Sequence, residues 1–66
     1  MGGHWSIKSF YEDGNAVNDH AYDEVGAREW ATRMLGVGGV TGVMLEHWEY
    51  HPDGVSRLVH REQVYA

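Results

Sequence analysis

The stretch VTGVMLEHWEYH-PDG-VSRLVHREQVY, residues 40–65, decides the fold. β-Branched and aromatic residues stand on both sides of Pro52-Asp53-Gly54, a pattern that predicts a β-hairpin. Pro52 presets its own φ, Asp53 can hydrogen-bond the local backbone, and Gly54 accepts the left-handed conformation that a three-residue hairpin loop demands. With that loop His51 is expected opposite Val55, Glu49 opposite Arg57, Trp48 opposite Leu58 and Glu46 opposite His60. The Glu49–Arg57 and Glu46–His60 pairs unite opposite or potentially opposite charges, which favours this register. One face then carries Val43, Leu45, His47 and Val59, and the other Met44, Trp48, Tyr50 and Leu58. A slip of one residue would exchange the faces of the last strand.

Working back from the hairpin, Gly36-Val37-Gly38-Gly39-Val40-Thr41-Gly42 looks like a phosphate loop but follows a helix and opens a strand, the reverse of what a dinucleotide site needs. It is a helix stop and linker. Before it, Ala27, Trp30, Ala31, Met34 and Leu35 recur at spacings of three and four, the stripe of a helix with one buried face. Asp23 is placed to cap this helix and Glu24 to face its positive end. Gly36 can close it in the left-handed conformation. Glu24 with Arg28 and Glu29 with Arg33 are expected as ion pairs one turn apart, and Gly26 suggests a close approach of the helix backbone.

Further back, Trp5, Ile7, Ser9 and Tyr11 alternate with Ser6, Lys8, Phe10 and Glu12, which predicts a strand ending in the Glu12-Asp13-Gly14-Asn15 turn. Residues 16–22 either return as a short strand or form an ordered loop. The chain therefore reads as a small α+β domain of order β-(β)-α-β-β. A mostly antiparallel sheet of three or four strands carries one helix on one face, and strand order is left open by the crossover.

A single domain of 66 residues buries only about 60% of the surface its unfolded chain exposes. Cysteine is absent, so neither disulfides nor thiolate chemistry contribute, and a reducing, cytoplasmic setting fits. With 42% hydrophobic residues the chain is too apolar for disorder, yet it has no 18-residue apolar run to span a membrane. The formal charge is -5. Glu12, Asp13, Asp19, Asp23 and Glu24 crowd the first 24 residues against a single Lys8. That balance argues against direct nucleic-acid binding and leaves an acidic patch facing either solvent or a basic partner.

One helix can cover one side of such a sheet. The other side would expose Phe10, Met44, Trp48, Tyr50 and Leu58, and a contiguous apolar patch of this kind usually marks an interaction surface. These five residues are the candidate partner-binding site, for a second copy in a homodimer or for another protein. Catalytic motifs do not emerge: Ser6, Ser9 and Ser56 occupy no nucleophile elbow, and an enzyme is not expected. His47 and His51 would sit about 13 Å apart along a strand, too far to share an ion, and His60 is expected beside Glu46. Gly2-Gly3-His4 would offer Cu(II) or Ni(II) a square-planar set only if Met1 were removed. No cofactor or metal is expected.

The Asp13-Gly14 turn, the Ala27-Arg28-Glu29-Trp30-Ala31 helix segment, the Gly39-Val40-Thr41-Gly42-Val43-Met44-Leu45-Glu46 return strand and the closing hairpin together resemble small uncharacterised proteins of actinobacteria and their phages. Four arginines to one lysine suit the same GC-rich origin. For a phage source, the resemblance implies a small cytoplasmic protein acting on a host protein. The expected function is thus a non-enzymatic interaction module that self-associates through the open sheet face. The alternative is an acidic decoy that occupies a nucleic-acid-binding protein.

Overall fold

The computed structural model describes residues 3–65. Five elements follow one another: β1 (Gly3–Tyr11), β2 (Ala16–Ala21), α1 (Glu24–Leu35), β3 (Val40–Tyr50) and β4 (Ser56–Tyr65). They form one four-stranded sheet of order β2-β1-β3-β4, antiparallel throughout, with the helix on one face. Residues 16–22 thus contribute a strand, and β1 lies between the two strands that the helix connects.

Both hairpins turn by the same device. In the first, Gly14 stands at φ 92° and Asp13 Oδ1 accepts from the Asn15 backbone N–H at 2.9 Å. In the second, Gly54 stands at φ 81° and Asp53 Oδ1 accepts from the Val55 N–H at 3.0 Å. The aspartate ties down the loop while glycine takes the left-handed position that other residues resist.

Asp23 caps α1, its Oδ1 accepting from Gly26 N–H at 2.8 Å. A Cβ on Gly26 would come within 3.0 Å of that same oxygen, so the glycine makes room for the cap. Ala27 and Ala31 are buried, with Trp30, Met34 and Leu35 packed around them, as the helical stripe predicts. The helix rests on β3 and β1 and more lightly on β2. Trp5, Ile7, Val40, Val43 and Leu45 supply the other half of the core. Small alanines let helix and sheet approach closely, and the larger residues of the sheet fill the space between.

Three local expectations are corrected. Gly36 closes the helix with φ -88°, right-handed, its N–H bonded to Arg33 O; the left-handed turn comes at Gly39, φ 91°, one step before β3. Glu29 does not pair with Arg33, whose guanidinium instead lies 5.3 Å from the centre of the Trp30 ring. The hairpin register holds for Glu49–Arg57 and Trp48–Leu58, then shifts by one residue. Val59 is the extra residue of a β-bulge, so Glu46 faces Arg61 rather than His60, and His60 faces His47. The charge pairing that favoured the expected register is better served in the observed one, since Arg61 is a permanent cation.

Candidate functional site: the uncovered face of the sheet

Residues paired across an antiparallel ladder share a face, so the register defines the surface opposite the helix. Along β1 and β3 it pairs His4 with Trp48, Ser6 with Glu46, Lys8 with Met44 and Phe10 with Gly42. From β4 it adds Leu58 beside Trp48, Arg61 beside Glu46 and Tyr65 beside Gly42; from β2 it adds His20 beside Ser6. Phe10, Met44, Trp48, Tyr50 and Leu58 all belong to this one face.

The five do not form one continuous apolar patch. Trp48, Tyr50 and Leu58 gather near the projecting end of the β3–β4 hairpin, and Phe10 and Met44 lie toward the other end, where Lys8 approaches within 5.6 Å of the Phe10 ring centre. Between the two groups Ser6, Glu46 and Arg61 form a polar belt. Glu46 accepts from Arg61 Nε at 2.8 Å and from Trp48 Nε1 at 3.3 Å. The carboxylate thereby fixes the indole, while Tyr50 and Leu58 remain 49% and 38% exposed beside it. Tyr50 is held in turn by His4, whose Nδ1 lies 2.9 Å from the tyrosine hydroxyl. The arrangement is an aromatic platform with apolar margins and one ion pair, in which Glu46 is half-buried and Arg61 exposed.

The acidic residues do not assemble into one surface. Glu12 and Asp13 sit at the tip of the β1–β2 hairpin, while Asp23 and Glu24 follow the far end of β2, a strand of six residues spanning roughly 20 Å. Asp13 also accepts from the Asn15 side chain, Asp19 accepts from Trp30 Nε1 at 3.1 Å, Asp23 caps the helix and Glu24 accepts from Arg28 Nε at 2.8 Å. Four of the five carboxylates therefore have structural partners.

His47 stacks on Trp5, rings parallel to 1° with centres 4.6 Å apart. His60 donates from Nε2 to Glu62 Oε1 at 3.1 Å. His4 and His20 come together across β1 and β2, ring centres 5.5 Å apart; sequence reasoning passed over this pair because it depends on the pairing of β2. The Asp13-Gly14 turn was its available signal, since the turn sets which residues of β1 and β2 oppose each other. Among the described residues no three histidines, aspartates or glutamates converge in a way that could hold a metal ion. Gly2 of the Gly2-Gly3-His4 motif lies outside the described residues. Among the described residues no helix is long and apolar enough to cross a membrane. No protein-family model, curated protein or solved structure matches the chain.

Proposed function

We propose that this protein is a non-enzymatic interaction module that binds a protein surface, a second copy of itself in the first instance, through the open face of its sheet. The observation that carries the reading is the Trp48 indole held by Glu46 between exposed Tyr50 and Leu58. A large aromatic side chain already fixed in place loses little conformational freedom on binding, and such residues commonly anchor interfaces. The same resemblance that suggests a phage origin suggests a host protein as the other partner class.

The test compares parent and Trp48→Glu, each checked by circular dichroism for the same fold. Native mass is measured by sedimentation equilibrium, and both chains are used for capture from a host lysate. A dimer or a stoichiometric partner lost on substitution supports the reading. Association that persists unchanged in a folded Trp48→Glu variant overturns it. The acidic-decoy alternative is served by the same capture repeated at rising salt, because binding through scattered carboxylates weakens steeply with ionic strength whereas apolar docking does not.

A further inference from the structure

We infer that His4 and His20 form a two-histidine site for a divalent late transition-metal ion, of which Zn(II) is the natural probe. His20 pairs with Ser6, which places it diagonally across the β1–β2 ladder from His4 and on the same face. Their ring centres are 5.5 Å apart with the planes at 62°. Two imidazoles on one tetrahedral zinc, each with a Zn–N bond of about 2.0–2.1 Å, have ring centres about 5.2 Å apart. The observed pair is within a few tenths of an ångström of that spacing, a difference that side-chain rotation absorbs.

The second observation is the shell behind His4. Its Nδ1 lies 2.9 Å from the Tyr50 hydroxyl. With the proton on Nδ1 the imidazole donates to Tyr50 Oη, and the Nε2 lone pair is left for a metal. Metal-bound histidines are characteristically oriented by such a bond from the other ring nitrogen. The third observation is space. A cavity of about 180 Å³ opens between His4, His20, Ala21 and Tyr22, enough for an ion with two waters, each of which occupies about 30 Å³ in the liquid. Two protein ligands leave coordination positions open, so an ion held here would be available to an exogenous ligand. This inference stands independently of the aromatic platform, although Tyr50 belongs to both.

The experiment is isothermal titration of Zn(II) into the metal-free full chain at neutral pH, with His4→Ala, His20→Ala, Tyr50→Phe and a control His51→Ala. One zinc per chain is expected in the parent, weakened at least tenfold by either histidine substitution, several-fold by Tyr50→Phe, and unchanged in the control. Bound metal should also raise the melting temperature of the parent and not that of His20→Ala. Absence of saturable zinc binding to the parent overturns the inference. So does binding that either single histidine substitution leaves intact, since the ion would then be held elsewhere.

Discussion

Arg28 of α1 and Glu62 of β4 grip each other through two parallel hydrogen bonds, Nη1 to Oε2 at 3.1 Å and Nη2 to Oε1 at 3.0 Å. This bidentate geometry is the most directional ion pair that proteins make, and it reaches from the helix to the outermost strand of the sheet. The network extends at both ends, to Glu24 through Arg28 Nε and to His60 through Glu62 Oε1. The bond from Arg28, and secondarily that from His60, holds the Glu62 carboxyl down at about 2, against an ordinary value of 4.5.

A stability dependence on acid follows. A carboxyl whose folded-state value is depressed contributes stability above its unfolded value, and the contribution fades as pH falls through the folded one. The contribution of Glu62 should therefore be complete above about pH 4.5 and vanish near about pH 2. Melting temperatures of parent and Glu62→Gln, measured across that window, should differ most at its upper end and converge at its lower end. A constant difference would mean that the pair is not what holds the carboxyl ionised. The groups are solvent-accessible, so the effect is expected to be modest.

Ser9 is fully buried on the helix face of β1, opposite Val43, and its hydroxyl has no hydrogen-bond partner. An unsatisfied buried hydroxyl costs about 1–3 kcal/mol. Ser9→Ala removes that cost with little change in volume. Urea denaturation should show the midpoint raised, by roughly 1 kcal/mol of stability, with the slope unchanged; a destabilised Ser9→Ala would show that the hydroxyl has a partner in solution.

Gly14 and Gly54 occupy equivalent left-handed positions, and a Cβ at either would meet nothing within 4 Å. Alanine there is strained by its backbone alone, at about 1–2 kcal/mol. The two turns stand at opposite ends of the molecule, since Tyr11 pairs with the start of β3 and Tyr50 with the start of β4. Gly14→Ala and Gly54→Ala should cost similar amounts, and the double variant should show their sum. Strong non-additivity in chemical denaturation would contradict the separateness of the two hairpins.

Trp30 Nε1 donates to Asp19 across the helix–sheet interface at 3.1 Å. A hydrogen bond to a charged group contributes about 1.5–3 kcal/mol. Asp19→Ala should lose about that much in thermal or chemical denaturation, and Trp30→Phe, which deletes only the donor and part of the ring, should destabilise through the same bond. If the two losses add fully in the double variant, the side chains are not coupled.

Much of this architecture was legible locally. The Asp13-Gly14 and Asp53-Gly54 turns, the Asp23 cap and the Ala27-Trp30-Ala31-Met34-Leu35 stripe depend on residues within one or two turns of chain. Alternation along Trp5, Ile7 and Ser9 likewise marked the buried face of the first strand. The candidate surface was legible to the same extent: alternation placed Trp48 beside Tyr50 and Leu58, while the Glu46–Arg61 belt that divides the face was hidden behind the bulge at Val59. Opposite charges suggested Glu46 with His60, and one extra residue in the strand moved Arg61 into that place.

The sequence by itself determined the helix, three of the four strands and the two hairpin turns, because backbone preference and side-chain period act over neighbours in the chain; whether residues 16–22 form a strand it left open. Only the tertiary structure decided that β1 lies between β2 and β3, that His4 meets His20, that Glu62 is gripped by Arg28, and that the acidic residues go to separate tasks. Each of these joins segments distant in sequence. Such pairings are selected by how one short helix covers the sheet and by which strand edges then remain to be matched, a choice made by packing of the whole chain and not by any stretch of it.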